Sequence, residues 1–486
     1  MLWLFCVFLI NQSRALPNFV FVLTDDQDLT LRSLDFLNET VELVANEGLT
    51  FTNYYVNSPI CCPSRGTILT GKYPHNIEVF NNSLSGGCSS LKWQQQYEKN
   101  TIASILKAQK NYKTFYAGKY LNQYGESYNG VQHVPPGYDW WLGLKGNSKY
   151  YNYTLSINGS GHHFETDYLT DKITKYALDF LSQSDKINFF MMLAPPACHA
   201  PFTPAPRHRG LFPTLETIKT VPFNSTPVNK HWIVGMPPTS LPQNDQILDQ
   251  IYRSRIRTLQ AVDDMVGALV TKLQEIRVLD NTYFIVTSDN GFHIGQFTQP
   301  WDKRQPYESD IHVPFMIRGP KIHRKTISDI PVSAVDIFST ILDLAGLTFE
   351  SDGHSFKEFL FKNESFHNEY ILVEYWGEGS ASSIDSTCPW GPTDQLSECV
   401  PEAWCKCQDA RNNTYRCVLD ISSVKKIKFC LFEDGFIEAY DLIEDPHELV
   451  NLELDKNQIT NYVTVLEKLK LLVFRVVQKW RCLKRV

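Results

Sequence analysis

Residues 19–28 read FVFVLTDDQD. An apolar, β-branched and aromatic run ends abruptly in Asp25, Asp26, Gln27 and Asp28. A continuous apolar run of this length fits a strand buried on both faces, as in a parallel sheet covered by helices. The pattern recurs at 283–291, YFIVTSDNG, where the strand Tyr283–Thr287 ends in Ser288, Asp289, Asn290 and Gly291. Further strand candidates are Thr114–Ala117, Phe189–Ala194, Pro314–Arg318 and Ile371–Tyr375. Helical periodicity falls between them at Thr40–Glu47, Ile102–Gln109, Tyr168–Ser182, Leu248–Ile276 and Ala334–Ala345. Strand–helix alternation predicts an α/β chain with a large, mostly parallel sheet flanked by helices. In such sheets ligands bind beyond the carboxyl ends of the strands, where both acidic loops lie.

Composition shifts near residue 376. Residues 377–401 are rich in Gly, Ser, Cys and Pro; strand-like runs at Lys428–Phe432 and Phe436–Leu442 follow, then an amphipathic helix over Ile459–Lys479. This predicts a main domain over 17–375 and a smaller C-terminal α+β subdomain over 376–486. The Pro-rich stretch Ala194–Pro242 reads as long loops, which in compact domains are often functional.

The chain has 486 residues, 43% of them hydrophobic, which excludes a disordered tail. Its formal charge of −7 argues against a nucleic-acid partner, since such proteins need a basic face. The apolar start MLWLFCVFLI is too short to span a bilayer and reads as a signal peptide over residues 1–16. Sequons at Asn38, Asn81, Asn152, Asn158, Asn224, Asn363 and Asn412 point the same way. Of 12 cysteines, six crowd into Cys388, Cys399, Cys405, Cys407, Cys417 and Cys430. In a secreted chain that crowding favours disulfides over zinc, because no paired C-x-x-C units occur. The expected location is lysosomal or secreted, with no membrane span.

Two oxygen-rich loops at strand ends of one sheet can converge on one cation. Asp25, Asp26, Asp289 and Asn290 offer oxygen donors only, which suits Ca²⁺ or Mg²⁺ and disfavours zinc. Each loop alone also reads as a helix cap or a tight turn. Between them lies Cys61–Gly71, CCPSRGTILTG, a cysteine-bearing loop entering a helix with Pro63 in its first turn. The bland alternative is a structural disulfide or a vicinal cysteine pair.

The run C-x-P-S-R followed by L-T-G resembles the signature of the type I sulfatases. That resemblance implies an alkaline-phosphatase-like sulfatase fold. It also implies oxidation of Cys61, the first cysteine of the motif, to Cα-formylglycine by the formylglycine-generating enzyme. Asp25, Asp26, Asp289 and Asn290 match the family's calcium ligands in type and order, with the modified Cys61 completing the set. Ca²⁺ is thus favoured over Mg²⁺. Lys119 in Gly118-Lys119-Tyr120 and Lys303 in Asp302-Lys303-Arg304 match sulfate-holding lysines. His199 in His199-Ala200-Pro201 matches a histidine facing the leaving oxygen.

A sulfate monoester repels nucleophiles, so its hydrolysis needs dense positive charge and a positioned acid. The cation, Arg65, Lys119 and Lys303 would supply the charge, and His199 the proton. A serine would form an ester nearly as inert as the substrate. A hydrated aldehyde expels sulfate by collapse of a hemiacetal instead. Many family members carry a histidine two residues after the matching lysine; here that position is Leu121. His293 is the alternative base for the second hydroxyl, or a residue that only supports the metal loop.

Within the family, Ala117–Tyr124, Asn147–Gly159, Ser288–Phe297 and Val373–Gly379 resemble enzymes removing 6-O-sulfate from N-acetylglucosamine of heparan and keratan sulfate. The expected partner is a sulfated glycosaminoglycan oligosaccharide, and a homodimer is compatible with the resemblance. The long basic insertion of the related endosulfatases has no counterpart here. Candidate sugar contacts are His231, Trp232, Glu374 and Glu378. Rival readings are an endosulfatase, a two-zinc phosphatase of the same superfamily, and a silent glycan-binding homologue with unconverted Cys61.

Overall fold

The computed structural model describes residues 16–468, apart from 128, 185–186, 243–245, 363–365, 367, 369, 380–382, 392 and 423–424. The leader, the Asn363 sequon and the end of the last predicted helix lie outside the described residues. No described helix is long and apolar enough to cross a membrane.

The stretch around residue 20 forms the strand Asn18–Thr24, every residue of which is buried. It pairs in parallel with Thr282–Ser288 on one side and with Phe189–Ala194 on the other. Lys113–Lys119 and Trp140–Leu144 continue the parallel run. These five strands form the centre of a ten-stranded sheet. Antiparallel strands extend it, Phe315–Arg318 and Leu49–Phe51 toward one edge, Tyr153–Ile157 and Ser160–Phe164 at the other. Leu49–Phe51 in turn pairs in parallel with Thr326–Ser328. Helices cover both faces, so Phe19, Phe21 and Leu23 enter one apolar core and Val20 and Val22 another. That two-sided burial is why the strand carries no polar alternation.

The long helix Gln246–Glu275 buries Leu248, Ile251, Tyr252, Ile256, Leu259, Val262 and Val266 along one stripe. Arg255 falls on the same stripe and is fully buried, so its guanidinium must find partners inside. The predicted helix at Thr40–Glu47 is a short turn, Asn38–Thr40, continued by a wider turn over Val41–Ala45.

Strand Tyr370–Tyr375 does not join the large sheet. It pairs with Tyr415–Ser422 in a four-stranded antiparallel sheet completed by Lys425–Phe432 and Ile437–Asp441. Helix Lys456–Lys468 packs on it through Leu466, Tyr462 and Ile459. The crowded cysteines pair as Cys388–Cys405, Cys399–Cys407 and Cys417–Cys430. Cys62–Cys88 is a fourth disulfide. Among the described residues Cys61 and Cys198 remain free.

Candidate active site

The register of the central strands sets Thr24 beside Ser288, so the loops 25–28 and 289–291 leave the sheet side by side. Lys119 is the last residue of its strand, and Gly118 pairs with Ala194, whose strand leads on to His199. Gly118 has φ +111°, and a Cβ there would meet the Ala194 carbonyl oxygen at 2.0 Å, so glycine is required. Cys61 is the first residue of helix Cys61–Thr70, which ends at Gly71 with φ 64°, the left-handed cap glycine favours. Five segments far apart in sequence thus meet at one point.

Asp25, Asp26, Cys61 and His199 place ligand atoms within 4.8 Å of one another. Cys61 Sγ lies 3.6 Å from Asp25 Oδ1 and 3.9 Å from Asp26 Oδ1. Lys119 Nζ donates to both Asp25 oxygens, at 3.0 and 2.9 Å, and Ser148 Oγ donates to the same carboxylate. Lys303 Nζ donates to Asp26 Oδ2 at 2.7 Å. Arg65 Nε donates to Asp289 Oδ2 at 2.7 Å, and its Nη1 to the Lys119 carbonyl at 2.7 Å. Arg65 Nη2 stands 3.6 Å from Asp25 Oδ1 and is buried without a hydrogen bond.

Burial raises the Asp25 carboxyl, but Lys119, His199 and Arg65 outweigh it and hold the group well below the usual range. Asp26 is burdened in the same way and lowered chiefly by Lys303. Asp289 goes the other way: burial pushes it up to about 6 despite Arg65. Burial also pushes the Cys61 thiol far up, so an unmodified Cys61 is no thiolate nucleophile.

His199 Nδ1 meets the carbonyl of Ala200 at 2.7 Å, so Nδ1 donates and Nε2 is left facing Asp26 Oδ2 at 3.9 Å. Burial, with Lys303 next, lowers its pKa to about 4. A negatively charged ester arriving beside it favours the protonated ring.

The donor set fits a hard cation. Asn290 Nδ2 donates to Asp26 Oδ1 at 2.7 Å, while Asn290 Oδ1 is buried with no partner. Asp289 Oδ1 accepts from the backbone of Asp26 at 3.0 Å, tying the two loops together. An orphaned amide oxygen amid carboxylates is what an oxygen-liganded ion would satisfy.

Two supporting residues escaped the sequence. Arg255 Nη2 donates to the Asp26 carbonyl at 2.7 Å and to Asp28 Oδ1 at 2.8 Å, bracing the acidic loop from beneath. That brace holds Asp26 at φ 64°, a conformation aspartate tolerates better than most residues. Its signal was there: an arginine on the buried stripe of a long helix. Ser148 had none.

The other candidates are not part of the cluster around Cys61. His293 Nδ1 meets Asp310 Oδ1 at 3.0 Å and its Nε2 is buried without a partner, but it is outside the group formed by Asp25, Asp26, Cys61 and His199. His231 stacks on Phe432 with centroids 4.1 Å apart and donates its backbone N–H to Glu438 at 2.6 Å. It fastens the Pro-rich loop to the small sheet. Trp232 beside it is 40% exposed. Glu374 is fully buried and receives the backbone N–H of His75 at 3.0 Å. None of these three lines the cleft above the site, whereas Glu378 does. The cleft holds about 1090 Å³, with Asp26, His199 and Lys303 among its lining residues.

The sequence profile of the sulfatase family matches residues 17–347. An N-acetylglucosamine-6-sulfatase of Homo sapiens is 44% identical over 460 residues, covering 92% of this chain and 82% of its own. One from Capra hircus is 45% identical over 450 residues, covering 90% and 80%. A solved structure described as bound to its substrate D-glucosamine-2-N,6-O-disulfate superposes with TM-score 0.74 at 23% identity, covering 94% of this chain and 98% of that one.

Proposed function

The chain belongs to the sulfatase family, and from that premise we propose that it hydrolyses the 6-O-sulfate ester of N-acetylglucosamine 6-sulfate at the end of heparan or keratan sulfate fragments. One observation carries the reading: Cys61, at a helix start, is ringed by Asp25, Asp26, Lys119, Lys303, Arg65 and His199.

Asp25, Asp26, Asp289 and Asn290, with the oxidised side chain at 61, would hold Ca²⁺ in preference to Mg²⁺. When bound, the cation adds charge that stabilises the nucleophile and the sulfuryl oxygens. Oxidation of Cys61 by the formylglycine-generating enzyme, followed by hydration, supplies two hydroxyls on one carbon, so sulfate can leave without water attacking sulfur.

The protein's remaining groups do the rest. Arg65 Nη2, Lys119 Nζ and Lys303 Nζ face the ester's non-bridging oxygens and neutralise them. His199, its tautomer set by Ala200, presents Nε2 to the departing sugar oxygen. His293, oriented by Asp310, is our candidate to accept the proton of the second hydroxyl. Buried surroundings strengthen every one of these charges. We assign the chemistry to residues 17–375 and part of the cleft wall to residues 376–486. The leader, sequons and disulfides support delivery to lysosome or exterior, and a homodimer is retained as a proposal.

The test has two readings. Protein from cells able to install formylglycine should yield a residue-61 peptide that has lost its sulfur. It should desulfate 6-O- but not 3-O- or N-sulfated glucosamine monosaccharides. An intact thiol, or no preference for the 6-position, overturns the proposal.

A further inference from the structure

The cleft is larger than a single sugar needs, since pockets for whole drug-sized ligands run from about 300 to 1,000 Å³, against about 1090 Å³ here. Carboxylates and cations both line it, and its lysine and arginines show what anion the extra room takes. Lys303 pairs with Asp26 and belongs to the sulfate-binding centre itself. Arg304 is spent on Asp302, Glu378 and Glu398. Arg411 is different. It lines the same cleft and is exposed, and among the described residues its guanidinium has neither a hydrogen bond nor an ion pair.

The backbone beneath Arg411 is fixed although its side chain is free. Arg411 N–H donates to the Gln395 carbonyl at 2.8 Å. Gly379 lies so close that a Cβ on it would meet the Arg411 nitrogen at 2.2 Å. Glu378, beside Gly379, reaches Arg304 at 3.3 Å, and Arg304 follows Lys303, which holds Asp26. Arg411 therefore stands at the outer end of a chain of contacts that starts at the reacting centre.

We propose that Arg411 binds the carboxylate of a uronic acid attached to the sulfated glucosamine, making it a specificity residue for uronate-linked fragments. The inference rests on the 6-O-sulfatase reading above. The recognition is chemical: a planar guanidinium pairs with a carboxylate through two parallel N–H donors, and an unpaired one inside a cleft loses no existing partner on binding. A neutral neighbouring sugar, such as galactose, offers it no charge. A sulfate on that neighbour would share the anionic chemistry, so the test separates the two.

The experiment compares holoenzyme with Arg411→Ala and Arg411→Lys on four substrates. These are N-acetylglucosamine 6-sulfate alone and the same sugar linked to a uronate, to galactose, and to galactose 6-sulfate. Arg411→Ala should raise KM about tenfold on the uronate disaccharide. It should leave kcat, and KM for the monosaccharide and the galactose disaccharide, unchanged. Arg411→Lys should fall between, having charge but no fork. An equal rise on all four substrates, a rise confined to galactose 6-sulfate, or no rise on the uronate substrate overturns the inference while leaving the 6-O-sulfatase reading intact. Wild-type protein that desulfates none of the four overturns both.

Discussion

Arg65 Nε sits 2.7 Å from Asp289 Oδ2, and both side chains are buried, at 1% and 0% exposure. The pair joins the helix that carries Cys61 to the loop that carries Asn290, so it bears on geometry as well as charge. Burial leaves Asp289 pushed up to about 6 even with Arg65 in place. Removing the guanidinium strands that carboxyl in the interior. Arg65→Ala should therefore abolish turnover and cost about 3 to 5 kcal/mol of stability. Arg65→Lys should recover most of the stability but little activity, because an ammonium cannot hold both Asp289 and the Lys119 carbonyl. Thermal unfolding beside turnover checks this; an active Arg65→Ala protein contradicts it.

Cys61 should separate chemistry from stability. Its Sγ makes only long contacts, at 3.6 and 3.9 Å, to Asp25 and Asp26. Cys61→Ala should lose all turnover while shifting stability by about 1 kcal/mol or less. Cys62→Ala should do the reverse in kind. It breaks the Cys62–Cys88 bridge, which closes a separation of 26 residues, and should cost about 2 to 4 kcal/mol. The two unfolding midpoints, measured side by side, decide the point.

Metal removal should be felt in both activity and melting temperature. A chelator should inactivate the protein, and Ca²⁺ should restore it more fully than Mg²⁺. With free metal at a hundredfold its dissociation constant, the gain is about 3 kcal/mol. Asn290→Ala removes the orphaned Oδ1 and should shrink the metal-induced rise in melting temperature. An unchanged rise in that variant would place the cation elsewhere.

The sequence carried the main-chain frame well where a segment's burial is decided by its own pattern. Phe189–Ala194 is the strand expected, and Ala334–Leu344 ends one residue short of its predicted bound. It failed where distant partners decide. Tyr370–Tyr375 has the pattern of a strand, but only Tyr415–Ser422 determines which sheet it enters. The convergence of Asp25, Asp26, Cys61, His199 and Lys303 was legible because a short motif and the strand ends gather them. Of the guessed sugar contacts Glu378 lines the cleft, whereas His231, Trp232 and Glu374 do not. His231 owes its position to stacking on Phe432, about 200 residues away in the chain, and nothing local signals that.

Acid should stabilise the junction between the cleft wall and the small sheet. Burial pushes the Asp409 carboxyl up to about 7; Arg304 lowers it only in part and Glu378 raises it further. Tyr375 Oη, the Glu378 backbone N–H and Asn413 Nδ2 donate to it, and Arg304 Nε stands 3.9 Å away. Glu448, also near 7, is raised by burial, with Lys428 opposing and Glu308 adding to the rise. An unfolded carboxyl titrates near 4. Between about 4 and 7 the folded chain therefore binds more protons than the unfolded one, and stability falls as pH rises. The contribution is full below about 4 and gone above about 7. Glu308 runs oppositely, since burial is overcome by Lys428 and His312 and its carboxyl is lowered; its contribution is present above the unfolded value and lost only in stronger acid. The melting temperature should thus be higher at pH 5 than at pH 7.5. Asp409→Asn, which keeps the shape but cannot ionise, should flatten that slope. An Asp409→Asn slope identical to wild type would refute the assignment of that carboxyl as buried and protonated in acid.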